Sequence, residues 1–372
     1  MNKILLPHGE VRLPNFFPDG TRGVVRCVDA QDLENCFIDG LVMNTYHLMS
    51  KPGKSTVKSL GGLNRFIGWN HPIITDSGGF QVFSMIRENS QYGKINDKEI
   101  IFISEGAKKI ILTPEKCIQS QFAYGSDILM CLDYCTHPND SFEIQKSSVD
   151  ITIEWAKRCK NEFDKLINNN CSFSSKITPK LFAIIQGGNS KELRKKCAYS
   201  LLEMGFDGFG FGGWPLDKNG NLVYDTLSYT ASLIPNDCVK YAMGVGTPQE
   251  IVECVDMGYN LFDCVIPTRE ARHNRLFVFN ENYKSIDDVN IKESSFYNYY
   301  YVKDDKHWRD SRPISQICDC HCCRNYSRAY LRHLYMIDEK LALRLATIHN
   351  LRFYSQLMEF LRGIRYKNRR IY

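Results

Sequence analysis

No apolar run reaches the roughly 18 residues that a membrane-spanning helix needs, which excludes bilayer insertion as the main architecture. The first residues, Met1 to Gly9, break too early to supply the apolar core of a signal peptide, so a cytoplasmic protein is expected. No G-x-G-x-x-G follows the first predicted strand, which argues against a dinucleotide-binding fold. No internal repeat is visible, and neither sign of charge dominates: 47 Lys and Arg stand against 42 Asp and Glu, for a net +5. That balance permits a nucleic-acid partner without requiring one. With 372 residues, 43% hydrophobic and 24% charged, the chain is an ordinary globular one and not a disordered or coiled-coil protein.

Cysteine is plentiful, with 15 in the chain. Without an export signal, and at this length, a disulfide scaffold is not expected. Cys117, Cys131, Cys197 and Cys254 stand singly and read as small buried hydrophobes. Cys318, Cys320, Cys322 and Cys323 are crowded together and differ in kind.

Short apolar runs repeatedly end in polar or glycine residues and are followed by helical stretches. Leu41 to Met43 leads into Asn44, Pro72 to Thr75 into Asp76, and Asp127 to Leu132 into Asp133. Leu181 to Ile185 leads into Gln186, Gly208 to Phe211 into Gly212 and Gly213, Tyr241 to Met243 into Gly244, and Leu261 with Phe262 into Asp263. Continuous runs of this length read as strands buried on both faces. Phe142 to Leu166 and Ser190 to Met204 read as amphipathic helices, and Thr247, Pro248 and Glu250 as a capping box opening a third. Strand and helix alternating with seven or eight strands predict an α/β fold, a (β/α)8 TIM barrel. The runs Glu99 to Ser104 and Lys109 to Leu112 predict a β-hairpin insertion turning at Glu105 to Lys108. Beyond about residue 280 the composition turns Tyr-rich and charged, then reaches the cysteine cluster. The expected division is a catalytic barrel over 1–295, a small zinc-binding subdomain over 296–350, and a C-terminal helix with a basic tail over 351–372.

In such barrels the site lies at the carboxyl ends of the strands. Asp76, Asp133, Asp263 and Gln186 all fall there. Any one of them could merely cap a turn; three carboxylates and an amide together form an active-site constellation. Cys318, Cys320 and Cys323, with His349 from a later helical stretch, can complete a tetrahedral zinc site. Four protein ligands leave no position for water, so the role is structural. His321 and Cys322 are competing ligands, and buried free cysteines are the alternative. A redox pair is not expected without thioredoxin-like surroundings.

These residues, in this order, resemble the tRNA-guanine transglycosylase (queuine tRNA-ribosyltransferase) family of bacterial type. The resemblance rests on Asn44-Thr-Tyr-His-Leu48, Thr75-Asp-Ser-Gly-Gly-Phe-Gln81, Ile185-Gln-Gly-Gly188, Gly205-Phe-Asp-Gly208, Gly212-Gly213 and Met243-Gly-Val-Gly246. It continues through Phe262-Asp-Cys-Val-Ile-Pro-Thr-Arg269, the cysteine cluster, Ser327 to Leu334 and Ile348-His-Asn350. The family exchanges guanine at the wobble position of certain tRNAs for a 7-deazaguanine in queuosine modification. The resemblance implies Asp263 as nucleophile and Asp76 as general acid/base. It implies Asp76, Ser77, Gly78, Gly79, Asp133, Gln186 and Gly213 around the base, with Phe80 and Met243 sandwiching it. Gly244, Gly246, Thr268, Arg269 and Arg272 would meet the RNA, and one structural zinc ion per chain would sit on Cys318, Cys320, Cys323 and His349. A homodimer built around the zinc subdomain, without a membrane, is also implied.

The residue types suit the chemistry. An ionised carboxylate can attack an anomeric carbon and later leave, as in retaining glycoside hydrolysis. A second carboxyl of raised pKa can protonate the departing base. Gly78 with Gly79, and Gly187 with Gly188, would let the backbone approach the base. Two departures from the family pattern stand out: Tyr134 replaces the usual acidic residue after Asp133, and Trp214, Pro215 and Leu216 replace small residues. A bulky Leu216 and a retained Cys135 favour 7-aminomethyl-7-deazaguanine over the larger queuine. The rival readings are a relative acting on DNA and a non-catalytic tRNA-binding paralogue; the presence of both Asp76 and Asp263 argues against the latter. The basic run Arg362 to Arg370, with Tyr366, could follow phosphates or form a solvated tail.

Overall fold

The computed structural model describes residues 2–103, 109–169 and 177–363. An antiparallel hairpin, β1 (Lys3–Leu6) and β2 (Gly9–Arg12), precedes the barrel. The barrel strands are β3 (Asn15–Pro18), β4 (Leu41–Met43) and β5 (Ile73–Thr75). After an inserted sheet of β6 (Gly93–Ile95), β7 (Ile100–Ile103) and β8 (Lys109–Leu112), five more follow. They are β9 (Ile128–Met130), β10 (Lys180–Ile185), β11 (Gly208–Phe211), β12 (Val239–Met243) and β13 (Leu261–Cys264). The order around the sheet is β3-β13-β12-β11-β10-β9-β5-β4, every pair parallel. A parallel bridge between Asp19 and Val42, with the Gly20 amide donating to the Val42 carbonyl at 2.6 Å, joins the two ends. The expected (β/α)8 barrel is therefore present.

Alternation along each strand explains its all-apolar sequence. Ile74, Ile128, Met130, Phe182, Ile184, Tyr241 and Leu261 fill one buried cluster, the barrel interior. Leu129, Leu181, Ala183 and Ile185 belong to another, packed against the surrounding helices. Leu6 and Val11 of the hairpin share the interior cluster, so the hairpin plugs the amino end of the barrel. Asp127 pins it there: its buried carboxylate accepts from the amides of His8 and Ile73, both at 2.8 Å. Cys117, Cys131, Cys197 and Cys254 are buried, as small hydrophobes would be.

The helices start where the capping residues predict. Phe142–Asn168 is capped by Ser141, Lys191–Met204 by Ser190, and Pro248–Asp256 by the reciprocal Thr247–Glu250 box. The insertion carries one strand more than the expected hairpin: β6 pairs with β7, and β7 with β8, all antiparallel. The turn at Glu105 to Lys108 lies outside the described residues.

After the barrel, β14 (Arg275–Phe279) and β15 (Tyr297–Tyr301) pair across residue 295. Short helices His321–Asn325 and Arg328–Met336 follow, then Lys340–Leu361, which runs unbroken through 350. Its Leu345 and Ile348 pack with the cysteine-bearing segment, and its Phe353, Tyr354 and Leu357 with barrel residues Phe16 and Phe262. One helix thus spans both regions. Arg352, buried within it, bonds Asp319 at 2.6 and 2.9 Å and Glu359 at 3.1 Å. Of the basic run, residues 364–372 lie outside the described part. The Arg362 guanidinium contacts Asp39 and the Arg12 carbonyl, each at 3.4 Å.

Candidate active site and metal centre

At the carboxyl ends of the strands lies a cavity of about 240 Å³, walled by Asp76, Asp133, Asp263, Phe80, Met243 and Trp214 among others. Asp76 follows β5. Its Oδ1 accepts from the amides of Thr45 at 2.9 Å and Gly78 at 3.0 Å, and its Oδ2 from the Asn44 side-chain amide at 2.7 Å. Gly78 can point its amide there because it adopts φ 74, while a Cβ would sit 2.8 Å from the Tyr46 nitrogen. Burial lifts the Asp76 carboxyl to about 7, against the pull of those two backbone amides; the charges of Asp263 and Asp19 push the same way as burial.

Asp263, the third residue of β13, stands in register with Met243 of β12 and Phe17 of β3. The Gly244 amide donates to its Oδ1 at 3.1 Å, and the Tyr241 hydroxyl also donates to it. Burial raises its carboxyl to about 6, against the pull of those two donors, and the Asp19 charge pushes the same way as burial. Two carboxyls held at different proton affinities in one cavity can divide acid and nucleophile between them.

On the next arc of the barrel, Gln186 donates from Nε2 to Asp133 Oδ2 at 2.7 Å. Burial raises Asp133 to about 6. Arg194, on the helix after β10, is fully buried without a carboxylate partner among the described residues. It donates to the carbonyls of Ile185 (2.7 Å), Gly188 (2.9 Å) and Gly212 (2.9 Å). Burial lowers it to about 10. One guanidinium therefore ties the segments that follow β10 and β11.

The metal centre lies away from this cavity. The ligand atoms of Cys318, Cys320, Cys323 and His349 are all within 4.8 Å of one another and buried. His349 Nδ1 is 3.6 Å from Cys320 Sγ and 3.3 Å from Cys323 Sγ. Metal–sulfur bonds of about 2.3 Å and metal–nitrogen bonds of about 2.0 Å give tetrahedral edges of just this order. His349 Nε2 lies 2.8 Å from the Phe277 carbonyl, which fixes the proton on that nitrogen and leaves Nδ1 free to ligate. His321 is exposed and contacts Asn325, and Cys322 is not in the group. The residues fit a closed four-ligand metal site.

A family model described as Queuine tRNA-ribosyltransferase matches residues 1–365. Proteins named queuine tRNA-ribosyltransferase are similar along almost the whole chain. The one from Psychrobacter sp. (strain PRwf-1) is 41% identical over 363 residues, covering 96% of this chain and 88% of its own. That from Thermoanaerobacter sp. (strain X514) is 40% identical over 359 residues, covering 96% and 87%. That from Blochmanniella floridana is 39% identical over 373 residues, covering 100% and 91%. This chain belongs to the queuine tRNA-ribosyltransferase family.

Of the positions that family resemblance singles out, Asp76, Ser77, Gly78, Phe80, Asp133, Gly213, Met243, Gly244 and Asp263 share the cavity wall. Gln186 stands behind Asp133, and Gly79 is buried at a helix start, where a Cβ would press on Leu132 at 3.0 Å. Gly246 packs on Cys264, and Thr268 is buried with its hydroxyl on the Val265 carbonyl. Arg269 is exposed beside Glu270, and Arg272 keeps one guanidinium nitrogen unpartnered among the described residues.

Two expectations require correction. Leu216 bridges to Leu222 and is absent from the cavity wall; Trp214 and Pro215 stand there instead. Gly187 and Gly188 are absent from the cavity wall, and protein packing by itself requires them, since Cβ atoms there would meet the Arg194 backbone at 2.6 Å and the Gln145 side chain at 2.9 Å. Sequence reasoning does not single out Asn44, Tyr241 or Arg194 as site residues. Only Asn44 carries a legible cue, its place at the end of an apolar run. Among the described residues no helix is long and apolar enough to cross a membrane.

Proposed function

We propose that this chain is a tRNA-guanine transglycosylase that replaces guanine at the anticodon wobble position by a 7-deazaguanine, in queuosine modification. The observation that carries the reading is the Asp76–Asp263 pair in one cavity, at about 7 and about 6, with the Asp133–Gln186 pair on the adjoining arc.

The ionised Asp263 carboxylate attacks the ribose anomeric carbon as the bond to guanine breaks, giving a ribosyl ester with inversion. Asp76, half protonated at neutral pH, hands its proton to the departing guanine and becomes the carboxylate that Asn44, Thr45 and Gly78 stabilise. The incoming base returns a proton to Asp76 while its nitrogen attacks the same carbon. Asp263 leaves, and the second inversion restores the original configuration. The target nucleotide is flipped out of its stack, and Phe80 and Met243 supply an aromatic face and a thioether to hold its base. Asp133 and Gln186 read the base's polar edge, Ser77, Gly78, Gly79 and Gly213 surround it, and Gly244, Gly246, Thr268, Arg269 and Arg272 serve the RNA. Of the two features that favour 7-aminomethyl-7-deazaguanine in the sequence, Cys135 lines the cavity and Leu216 does not.

Cys318, Cys320, Cys323 and His349 would hold zinc, whose contribution is to cross-link the fold. A homodimer built around this region completes the reading.

The test is an exchange assay without ATP. Labelled guanine should enter tRNA carrying G at the wobble position, and 7-aminomethyl-7-deazaguanine should displace it. Exchange on duplex DNA but not on tRNA would overturn the substrate assignment; no exchange on either would overturn the reaction.

A further inference from the structure

The strand order brings a third carboxylate into the part of the barrel that holds Asp76 and Asp263. Asp19 directly follows β3, which lies between β13, the strand of Asp263, and β4. The other neighbour of β4 is β5, which leads to Asp76. Around the closed barrel Asp19 therefore stands between those two carboxyls. Its side chain faces inward. Phe17, two residues earlier, belongs to the interior cluster, and alternation along the strand returns Asp19 to the same side. The parallel bridge from Asp19 to Val42, a residue of both the interior cluster and the cavity wall, gives the same direction. The Asp19 charge raises the Asp76 and Asp263 carboxyls and the Tyr241 hydroxyl, as a charge does at short range.

The fold uses half of this carboxylate. Oδ1 accepts from the Thr21 amide at 3.2 Å and from the Thr21 hydroxyl. Among the described residues no donor bonds Oδ2, and neither Arg26 nor Arg272, whose charges reach Asp19, pairs with it. A half-buried carboxylate with an idle oxygen and no ion-pair partner costs stability that its own turn does not recover.

The place of the base fixes the place of the sugar. In the closed strand order β10 is diametrically opposite β3, so Asp133, Gln186 and Gly213, which follow β9, β10 and β11, face Asp19 across the cavity. A nucleotide whose base meets that arc, with its anomeric carbon against Asp263, turns its ribose toward β3. Within a polynucleotide the 3′ and 5′ oxygens are phosphodiesters. The 2′-hydroxyl, on the carbon next to the one attacked, is then the one free hydroxyl of the sugar. A carboxylate oxygen is a strong acceptor for it. In displacements at an anomeric centre, a hydrogen bond to this hydroxyl strengthens as positive charge develops on the ring.

We propose that Asp19 is a specificity-determining residue that accepts a hydrogen bond from the 2′-hydroxyl of the target nucleotide and so selects ribose over deoxyribose at the reacting position. The inference rests on the base-exchange reading above. Asp19→Asn keeps an oxygen for Thr21 but offers the hydroxyl only an uncharged amide, and Asp19→Ala offers it nothing.

The experiment compares full-length wild type with both variants on two tRNA anticodon stem-loops, identical except for guanosine or 2′-deoxyguanosine at the wobble position. The readout is the ratio of kcat/KM for release of guanine from the ribose substrate to that from the deoxyribose substrate. Any inherent difference between the two glycosidic bonds cancels when enzymes are compared. The ratio should fall about tenfold or more from wild type to Asp19→Ala, the size of a hydrogen bond to a charged group, and by less in Asp19→Asn. An unchanged ratio in both variants overturns the proposal. Where Asp19→Ala melts early, Asp19→Asn decides by the same criterion, since it keeps the Thr21 turn. Wild type that releases guanine from neither substrate would sink the base-exchange reading, whereas exchange with an unmoved ratio would sink only the role of Asp19.

Discussion

Replacing Asp76 by asparagine should change stability in a pH-dependent way that follows from its surroundings. The Asp76 carboxyl is raised from 3.8 to about 7 by burial, so the folded protein binds this proton more tightly than the unfolded chain does. The resulting stabilisation is full below the unfolded value and is lost as pH rises through about 7. Between pH 5 and pH 8 the loss is bounded by two units at about 1.4 kcal/mol each, or roughly 3 kcal/mol. Asp76 is partly exposed to the cavity and its water, which reduces the bound to roughly 1–2 kcal/mol. The amide that replaces the carboxyl has no such charge to bury. It keeps an acceptor for Thr45 and Gly78 but loses the bond from Asn44, at a cost of about 1 kcal/mol. Asp76→Asn should therefore melt lower than wild type at pH 5 and at or above it at pH 8, while exchanging no base. Thermal melts at the two pH values decide it. An offset of the same size and sign at both would refute the argument that burial holds this proton.

The remaining expectations can be tested with the same protein. kcat/KM should be bell-shaped with its maximum between pH 6 and 7, because Asp263 loses its charge below about 6 and Asp76 its proton above about 7; a flat profile from pH 5 to 9 would contradict the division of roles. Arg194→Met should cost about 3 kcal/mol, since three buried carbonyls lose their donor, and should raise KM for the base as the segments after β10 and β11 loosen; melting and steady-state kinetics check both. His349→Ala, or chelation of wild type, should release one zinc ion per chain and lower the melting temperature by several degrees; metal analysis finding no zinc in fresh active protein would count against the assignment.

Much of this site is legible because the chemistry sits where patterns change. Asp76, Asp133, Gln186 and Asp263 each follow an apolar run, and a parallel barrel brings run ends together whatever the intervening sequence. Cys318, Cys320, Cys323 and His349 are legible because metal ligation restricts spacing. β3 is harder to read: Asn15–Pro18 is four residues long, and its place in the sheet depends on pairing with β13, the last barrel strand in the sequence. Arg194 reads as one more charged residue on an amphipathic helix. Only the folded chain shows it turned inward onto three carbonyls. Tyr241 is hidden by its strand, where an aromatic looks like core until its hydroxyl is seen on Asp263. The exchange of Leu216 for Trp214 at the cavity wall has a local cause, the turn around Asp217 that pairs Leu216 with Leu222. Spacing along a loop does not reveal which side chain faces inward.

The most direct measurement is a denaturing-gel and mass-spectrometric search for a covalent protein–RNA species formed by wild type on tRNA when incoming base is withheld. The account predicts a band that survives denaturation, maps to the peptide holding Asp263, disappears when 7-deazaguanine is added, and is absent from Asp263→Asn. The same band in Asp263→Asn, or base exchange by that variant at the wild-type rate, would contradict it.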